Sequence, residues 1–402
     1  MHILFVCQHY WPEQFQTTEI CEELVRRGHQ VTALVGIPNY PTGIVPDEYA
    51  DGKNREQENN GVHIIRVEEV PRAPGVVGLA KNYFSYMRRA DGKLKELTGG
   101  YDVIFAYQIS PVLMAEPAMR AKKIFDAPVF LYCADIWPDA VKAMLPSKLN
   151  FLMPAVRRVS TGIYRGADVV ATNSRAYIDC FEQVHGMKRS SCHYVPQYAE
   201  DSYLSMDLTA EPSDKARFLV MGNIGRLQYL RVLMDAVDML KSRKDFELHI
   251  VGTGSSIGEF EKFVTEHGLG THVVFHGRHP FEEMPGFYRM ADACVLTLHV
   301  PGAPWISSTL PSRLQGYMAA GKPVIAAIDG SAAEVIAESG CGASVPATDS
   351  ASLSVLMADF IDHREKYANC GENGRAYFRA NFMKNRYMDE IERLLEQTAE
   401  RK

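Results

Sequence analysis

Two series of short apolar segments, each alternating with helix-like segments, run along the 402-residue chain. The first series begins with a strand–helix–strand pattern in residues 2–35, and the second extends from Arg217–Met221 to Gly342–Val345. Apolar strands that alternate with helices are typical of parallel sheets that carry helices on both faces. Because 402 residues also exceed what one hydrophobic core usually organises, the pattern predicts two doubly wound α/β domains.

A polar segment without periodicity, VPQYAEDSYLSMDLTAEPSDKA, separates the two series and is typical of an interdomain linker. In open α/β sheets, ligands bind beyond the carboxyl ends of the strands, so we expect a central cleft that both domains face. We predict an N-terminal Rossmann-like domain over residues 1–196, a linker over 197–216 and a C-terminal Rossmann-like domain over 217–375. A terminal helix over 376–402 is expected to pack back toward the N-terminal domain.

The charge balance and the cysteines exclude several classes of protein. A formal net charge of −6 argues against a broad nucleic-acid surface, which needs clustered Lys and Arg. The eight cysteines are scattered without a C-x-x-C pair or a metal-like spacing, which indicates reduced thiols in a cytoplasmic protein and no bound metal. The opening MHILFVC predicts a strand rather than a signal peptide, and no apolar run approaches the roughly 18 residues of a membrane span.

Two features of the second series have residues that suit a diphosphate. After the strand that ends near Met221, the sequence GNIGRLQYL places Gly222 and Gly225 where a backbone can approach phosphate oxygens. Later, LPSRLQGYM begins a helix at Ser312 and Arg313, whose hydroxyl, guanidinium and free N–H groups can bind an anion. The alternative interpretation is an ordinary strand-to-helix turn, with Ser312 as a cap and Arg313 as a solvated first-turn residue.

The string YMAAGKPVIAAIDGSAAEVI resembles the donor-site signature of family 4 glycosyltransferases with the GT-B fold, and the resemblance extends over almost the whole chain. Within that family, WPE (11–13), GIPNYPTG (36–43) and DIWPD (135–139) are similar to the bacterial branch that builds capsule, exopolysaccharide or O-antigen. The resemblance implies a retaining, metal-independent enzyme without a cofactor. It implies that the C-terminal domain binds a nucleotide sugar, UDP-linked in preference to GDP-linked, and that the N-terminal domain binds a polyprenyl-linked saccharide that receives the hexosyl or N-acetylhexosaminyl unit.

The chain departs from the family pattern at positions that usually carry charge. The Glu-x7-Glu pair of the family corresponds to Ser308 and Gly316, so both carboxylates are missing. The Arg and Lys that neutralise the donor phosphates in the family correspond to Asn223 and Gln228. The ribose contact is therefore left without an assigned residue.

Arginine is expected to take over the phosphate contacts. Arg226 and Arg313 are the nearest cations that can balance the charge of a diphosphate. The resemblance places the nucleobase against the loop Gly277–His279, where Arg278 can stack on the base, and places the sugar near residues 297–309. The predicted donor contacts are Gly222, Asn223, Gly225, Arg226, Gly277, Arg278, His279, Gly302, Ser308, Thr309, Ser312 and Arg313.

The N-terminal domain offers the catalytic and acceptor candidates. The loop QHYWPEQFQTTE leads into a helix and supplies Glu13 and Gln16, while Gln108 stands where family members commonly have a His. Asp135 follows an apolar strand and can orient an acceptor hydroxyl or accept a proton, although an aspartate there is also a common helix cap. The predicted catalytic residues are Glu13, Gln108 and Asp135, and the predicted acceptor contacts are Gln16, Asn39, Tyr40 and Asp139.

Residues 72–95, RAPGVVGLAKNYFSYMRRADGKLK, combine apolar residues with basic ones such as Lys81, Arg88 and Arg89. Such a helix can rest on an anionic inner leaflet and admit a polyprenyl-linked acceptor, which would make a cytoplasmic protein peripheral to the plasma membrane. An ordinary amphipathic helix that faces the core explains the same pattern, and the sequence leaves both interpretations open.

Two other functions remain open from the sequence. The missing carboxylates would also fit a noncatalytic glycosyltransferase-like partner protein. A nonhydrolysing UDP-sugar epimerase of the same architecture would need paired acid and base carboxylates, which Glu13 and Asp135 would have to supply.

Overall fold

The computed structural model describes residues 1–138, 147–302 and 304–401, which fall into two compact units. The first unit comprises Met1–Pro196 together with Asn385–Lys402, and the second comprises Gln197–Lys384. Each unit is an α/β structure built on its own sheet, as the alternation of apolar and helical segments predicts.

The first unit contains an eight-stranded sheet with the strand order β3-β4-β2-β1-β5-β6-β7-β8, in which β3 alone pairs antiparallel among the described strands. The central strands β5 and β6 are buried along their whole length, and β1 is buried except at His2, because helices cover both faces. This burial explains their continuous apolar sequences. Its strands are β1 (His2–Val6), β2 (Gln30–Gly36), β3 (Glu56–Asn59), β4 (Val62–Val67), β5 (Val103–Gln108), β6 (Val129–Cys133), β7 (Val169–Thr172) and β8 (Cys192–Tyr194). Its helices before residue 197 are α1 (Gln16–Arg26), α2 (Gly75–Leu94), α3 (Glu116–Phe125), α4 (Met153–Gly166) and α5 (Arg175–Gln183).

The second unit contains a six-stranded parallel sheet with the strand order β11-β10-β9-β12-β13-β14. Its strands are β9 (Ala216–Met221), β10 (Phe246–Val251), β11 (Val273–Gly277), β12 (Ala293–Thr297), β13 (Val324–Ala327) and β14 (Gly342–Val345). Its helices are α6 (Arg231–Met239), α7 (Ile257–Glu266), α8 (Met284–Met290), α9 (Ser312–Ala319), α10 (Ser331–Ser339), α11 (Ser350–Asp362) and α12 (Cys370–Asn381).

Strand β9 shows why this sheet is covered on both faces. Phe218 and Val220 belong to one buried cluster, whereas Leu219 and Met221 belong to another, because successive side chains of a strand point to opposite faces. Both clusters are built from aliphatic and aromatic side chains of strands and helices. The sheet is therefore a central layer between two hydrophobic cores, and polar groups are left to the loops at its ends.

Two segments differ from the sequence prediction. Residues 197–216, predicted as a separate linker, belong to the second unit, and Tyr203 and Leu208 are buried in its core. Apart from a 3-10 turn at Ser202–Ser205, the segment is irregular up to the start of β9, so its few apolar residues show no period. The single terminal helix predicted over 376–402 is divided, since α12 ends at Asn381 and a further helix α13 spans Lys384–Ala399.

Helix α13 belongs to the first unit, although it comes last in the chain. Its residues Met388, Ile391, Leu394 and Leu395 are buried. Glu392 of α13 accepts hydrogen bonds from the Arg27 guanidinium at 2.7 Å and from the His29 ring at 2.8 Å. These contacts attach α13 to the end of α1.

The helices of the described residues have too little length and apolar character for any of them to cross a membrane.

Candidate functional site

The carboxyl ends of β9 and β12 meet at the centre of the second sheet, where the strand order reverses. Such a reversal leaves a crevice outside the strand ends, and this is where ligands of open α/β sheets bind. The loop after β9 contains Gly222, Asn223 and Gly225, and the segment after β12 leads to Ser312 and Arg313 at the start of α9. The fold therefore brings together the two sequence features that were predicted to bind a diphosphate.

The loop after β9 is a tight turn held by backbone contacts with the end of β10 and the loop that follows it. Gly222 has φ +113° and donates its N–H to the carbonyl of Val251 at 2.8 Å. Gly252 has φ +136°, and a Cβ atom on it would collide with the Gly222 carbonyl oxygen. Gly225 is buried and donates its N–H to the Gln228 side chain at 2.9 Å. Two glycine turns thus pack backbone against backbone, which no larger residue would allow.

Arg313 reaches from α9 to this turn. Its Nη2 donates to the carbonyl oxygen of Asn223, and its Nε lies 3.2 Å from the position that a Cβ on Gly222 would occupy. Burial lowers the pKa of the Arg313 guanidinium, which remains protonated at neutral pH. No carboxylate of the described residues pairs with it. A half-buried positive charge therefore lies against the turn, and no carboxylate in the described part of the chain neutralises it.

The other predicted donor residues of this unit differ in how exposed they are. Ser312, Asn223, Arg226 and Gly302 are exposed, and Gly302 has φ +76° with open space where a side chain would stand. Ser308 and Thr309 are half-buried, and Ser308 makes further contacts. Because Ser312 is the first residue of α9, the free N–H groups of the helix begin beside Arg313.

The position of the missing second carboxylate is closely packed. A Cβ atom on Gly316 would lie 3.3 Å from the hydroxyl of Tyr288, which is buried. Nearby, the buried Tyr317 hydroxyl accepts a hydrogen bond from the backbone N–H of Met221 at 3.1 Å. Tyr317 thereby ties α9 to the end of β9, a role that the sequence did not reveal because its partner lies far away in the chain.

The loop predicted to hold the nucleobase is fixed through His279. The ring Nδ1 lies 2.6 Å from Glu283 Oε2, and Nε2 lies 3.0 Å from the carbonyl oxygen of His276. Both partners are acceptors, so the imidazolium form satisfies both, and the carboxylate of Glu283 raises the pKa of His279. Gly277 ends β11 with φ +76°, and Arg278 is exposed beside it. Within this loop, Arg278 has the side chain that is available to a ligand.

In the first unit, the strand order reverses between β1 and β5. Gln108 ends β5, but its side chain is buried and already bonded. Its Nε2 donates to the carbonyl oxygens of Ile109 and Asp135, the latter at 2.8 Å, and its Oε1 accepts from the Tyr164 hydroxyl at 3.4 Å. Gln108 therefore joins the ends of β5 and β6 and offers no free group to a substrate.

Glu13 has an organising position as well. Its Oε1 accepts the backbone N–H groups of Asn39 and Tyr40, each at 2.7 Å, and its Oε2 lies 2.7 Å from His9 Nδ1. Both carboxylate oxygens are thus occupied within the described structure. Gln16 begins α1, is half-buried and makes further contacts.

Two of the four predicted acceptor contacts, Asn39 and Tyr40, lie in the turn that Glu13 organises, and they differ in exposure. Asn39 is buried, and its Nδ2 donates to the carbonyl oxygen of Ile37 at 2.9 Å and to Glu69. Tyr40 is 44% exposed, and the Arg72 guanidinium lies 5.2 Å from its ring centroid. Tyr40 is therefore partly exposed to solvent, whereas the buried side chain of Asn39 fixes the turn through its hydrogen bonds.

Asp135 follows β6 and is half-buried. Burial raises the pKa of its carboxyl, and no hydrogen bond or ion pair to that carboxyl is found in the described ranges. Asp139 lies outside the described residues. Of the three predicted catalytic residues, Asp135 is the one whose side chain has no partner in the part of the chain that the structure describes.

Several residues that build these sites were not predicted. Glu69, Gln8 and Asn82 form a buried polar group in the first unit, and Gly252 supports Gly222 in the second. The sequence VGTGSS, with two glycines directly after β10, could have identified Gly252, because it repeats the pattern of a strand followed by a glycine turn. Among the described residues, no three His, Cys, Asp or Glu side chains converge to hold a metal ion.

Two protein families match consecutive parts of the chain. Residues 14–197 match the family described as Glycosyl transferase 4-like domain, and residues 205–377 match Glycosyl transferases group 1. WcaI of Escherichia coli (strain K12), a glycosyl transferase whose name assigns it to colanic acid biosynthesis, is 24% identical over 331 residues, which are 76% of this chain and 77% of that protein. A GDP-mannose-dependent alpha-(1-6)-phosphatidylinositol monomannoside mannosyltransferase of Mycolicibacterium smegmatis is 26% identical over 237 residues, which are 56% of this chain and 61% of that protein.

Solved structures share the fold at low sequence identity. Sucrose-phosphate synthase from Thermosynechococcus elongatus superposes with a TM-score of 0.74 at 18% identity, covering 99% of this chain and 98% of that one. Anabaena HepE in complex with UDP superposes with a TM-score of 0.71 at 18% identity, covering 99% of this chain and 100% of that one. The fold is GT-B, with two parallel-sheet α/β domains.

Proposed function

We propose a donor, an acceptor and a stereochemical course for this chain, which is a glycosyltransferase of the GT4 and GT-B type. It transfers a hexosyl or N-acetylhexosaminyl unit from a UDP-linked sugar to a lipid-linked saccharide, with retention of configuration. Support comes from relatives whose names place them in colanic acid biosynthesis and in phosphatidylinositol mannoside synthesis. The second of these uses GDP-mannose by name, so GDP is the competing donor nucleotide.

The position of Arg313 is the observation that carries the proposal. Its guanidinium lies against the Gly222 turn, carries no carboxylate partner in the described residues, and sits next to the start of α9. A diphosphate placed there receives hydrogen bonds from Arg313, the Ser312 hydroxyl and the free N–H groups of α9. When the glycosidic bond to the diphosphate breaks, the same groups stabilise the charge that develops on the departing nucleotide.

Acceptor binding is assigned to Tyr40 and Asp135 of the first unit. The Tyr40 ring contacts the Arg72 guanidinium and the rings of His9 and Phe15, and it is still 44% exposed. Its exposed part is an apolar surface against which the less polar face of a sugar can pack. Asp135, whose pKa is raised by burial, orients an acceptor hydroxyl by hydrogen bonding. The resemblance to retaining family members implies that the departing phosphate takes the acceptor proton, so this course needs no base from Gln108 or Glu13, whose side chains are already engaged.

The exposed face of helix α2 supports the proposal that the acceptor is lipid-linked. Val77 is 69% exposed and Phe84 is 50% exposed, and Lys81 and Arg88 are exposed between and beyond them. Residues 77, 81, 84 and 88 recur at intervals of four and three, which places them on one face of a helix. An exposed face of apolar and basic residues fits an anionic membrane surface, where a polyprenyl-linked saccharide would be found.

The experiment offers three donors to the purified protein: UDP-N-acetylglucosamine, UDP-glucose and GDP-mannose. Each is incubated with undecaprenyl diphosphate-linked N-acetylglucosamine as the acceptor probe, and nucleotide release and the lipid product are followed. We expect release with a UDP sugar and a product whose new linkage keeps the α configuration in its NMR spectrum. A β linkage rejects retention, and release with GDP-mannose alone rejects UDP.

Two outcomes would replace the proposal. Tight binding of a nucleotide sugar without release, for all donors and acceptors, favours a noncatalytic partner protein. Conversion of UDP-N-acetylglucosamine to an epimer without transfer favours an epimerase, which the engaged oxygens of Glu13 disfavour.

A further inference from the structure

Glu69 is a buried carboxyl of the first unit that lies just beyond the end of β4. Its Oε1 accepts from Asn39 Nδ2 and, at 3.1 Å, from Asn82 Nδ2 of α2. Its Oε2 accepts from Gln8 Nε2 at 3.0 Å. One carboxyl thus links the segment after β1, the turn after β2, and α2.

The Glu69 carboxyl is closely packed against the end of β2. A Cβ atom on Gly36 would lie 2.7 Å from Glu69 Oε2, so a glycine at the end of β2 is needed beside it. Gln8 Nε2 also donates to Asn82 Oδ1 at 2.9 Å, which closes the network. Burial raises the pKa of Glu69 to about 8, against the effect of the three donors. Burying a carboxyl costs free energy unless it is fully hydrogen-bonded, and burying an unpaired amide does so too. Glu69 and its amide partners therefore stabilise one another.

The network continues outward to the predicted acceptor contacts. Asn39 Oδ1 accepts the backbone N–H of Arg72 at 2.9 Å, and the backbone N–H groups of Asn39 and Tyr40 are bound by Glu13. Asn39 is therefore fixed from both sides, with Glu69 holding its side chain and Glu13 its backbone. Tyr40 is the next residue, and its exposed ring takes its position from this anchored turn.

We propose that Glu69 is a positioning residue that ties the turn of residues 37–43 to α2 and to the end of β1, and so sets where Tyr40 stands. It acts through Asn39 and does not touch the substrate. We call the hydrogen bonds of Glu69 to Gln8, Asn39 and Asn82 the tether, and it rests on the contacts of Glu69 alone. That Tyr40 contacts an acceptor saccharide rests on the proposed function.

Hydrogen exchange of the full-length protein tests the tether without any ligand. Glu69→Ala removes one acceptor from each of three buried side-chain amides, which keep only their contacts to Ile37, Asn82 and Val70. We expect the amide exchange of residues 37–43 to speed up at least tenfold. Glu69→Gln is expected to stay within about threefold of the wild type, because Gln8 Oε1 has no partner in the described residues and can accept from the new amide. Glu58→Ala removes an exposed carboxylate of β3 in the same sheet and is the matched control, with no change expected.

Kinetics then separates the tether from the proposed function. With undecaprenyl diphosphate-linked N-acetylglucosamine as the acceptor probe, Glu69→Ala is expected to raise the acceptor KM about tenfold and leave the donor KM unchanged, and Glu69→Gln should restore the acceptor KM.

Each outcome decides one of the two claims. Unchanged exchange of residues 37–43 in Glu69→Ala overturns the tether. Faster exchange with an unchanged acceptor KM, or with no transfer by the wild type, upholds the tether and rejects the acceptor role of Tyr40. If Glu69→Ala does not fold, Asn82→Ala removes the hydrogen bonds of Asn82 to Glu69, Gln8 and Val70 and leaves Glu69 bonded to Asn39 and Gln8. Unchanged exchange of residues 37–43 in that variant overturns the claim that Glu69 ties the turn to α2.

Discussion

Arg313 is a cation that remains beside the glycine turn, where the family pattern has other charged residues that this chain lacks. Ser308 and Gly316 supply no carboxylate, and Asn223 and Gln228 supply no cation. The Arg313 guanidinium is nevertheless held against the glycine turn by the Asn223 carbonyl, and several of its N–H groups remain for a ligand. Its rigid fork suits two phosphate oxygens at once, which an ammonium group cannot match.

Arg313→Ala is expected to weaken nucleotide binding. Loss of charge-assisted hydrogen bonds to a diphosphate costs about 1.5–3 kcal/mol, which is roughly a 10- to 100-fold rise in Kd. Arg313→Lys should recover only part of the loss, since the charge returns without the paired N–H groups. Isothermal titration with UDP and with GDP measures both variants.

The matched control for Arg313 is Arg379→Ala. Arg379 is a surface arginine of the same unit that pairs with Glu372 at 3.2 Å. Its removal should leave the Kd for UDP within about twofold, because a surface ion pair contributes at most about 1 kcal/mol to stability and nothing to this site. Equal effects of the two alanine variants would show that Arg313 does not contact the nucleotide.

The sequence predicts residues whose role depends on their local position better than residues whose role depends on distant partners. Gly222, Ser312 and Arg313 follow from the rules for strand ends and helix starts, and the structure brings them together. Glu13 and Gln108 stand at the expected strand ends, but their side chains are taken up by partners that no local pattern shows. Hydrogen bonds between residues far apart in the chain are fixed only by the folded structure.

Glu69 joins the segments around β1, β2, β4 and α2, and its titration makes the stability of the folded protein depend on pH. Its pKa is about 8 in the folded chain, against an ordinary value of 4.5. Between these values the folded state holds a proton that the unfolded state has lost, so stability falls as pH rises and levels off above pH 8. The titratable groups that interact with Glu69 are Glu13 and, on α2, Tyr86.

Glu69→Gln removes this titration. The free energy of unfolding of the wild type, minus that of Glu69→Gln, should decrease between pH 5 and pH 8 by at most about 1.4 kcal/mol per pH unit. Urea denaturation of both proteins at each pH gives the difference directly. Parallel curves over the whole range would show that Glu69 is ionised in the folded protein.

Helix α2 illustrates why the face of a helix is harder to predict than its existence. The structure has α2 at Gly75–Leu94 within the predicted stretch, yet its buried residues are Asn82, Tyr86, Ala90 and Leu94. Asn82 is buried because Glu69 binds it, and hydrophobicity alone would have placed it outside. The core-facing interpretation therefore holds for one face of α2, while Val77 and Phe84 are left on the other.

Val77→Glu and Phe84→Glu should each reduce binding to vesicles that contain anionic lipid. A glutamate adds a charge that an anionic surface repels and removes apolar area from the contact. Flotation of the wild type and the variants with vesicles of phosphatidylcholine, with and without phosphatidylglycerol, measures the effect.

Val355→Glu is the control for α2, because Val355 is 70% exposed on α11 of the second unit. It should bind vesicles as the wild type does. Absence of flotation of the wild type with either vesicle would remove the membrane contact from the proposal.

For the whole molecule, the alternation of strands and helices was enough to predict two parallel-sheet α/β structures. A terminal helix that packs back toward the N-terminal domain was also expected, and α13 belongs to the first unit. The residues that hold it could not be predicted, since the Arg27–Glu392 contact joins residues 365 positions apart. Burial opposes ionisation of Glu392, but hydrogen bonds from Arg27 and His29 outweigh it and lower the pKa of Glu392. The terminal helix is thus held by both charge and apolar packing.

Because the chain leaves the first unit at Pro196 and returns to it at Asn385, the second unit is inserted into the first. Residues 1–196 produced alone should unfold at a lower temperature than the same fragment mixed with a synthetic peptide of residues 385–402, whereas residues 197–384 need no such partner. Thermal unfolding of the three samples checks this, and equal midpoints with and without the peptide would contradict it. If the second unit binds the donor, as proposed, donor preference can be exchanged between relatives by replacing one continuous stretch of gene. The first unit, with the proposed acceptor contacts, is encoded by two separate stretches.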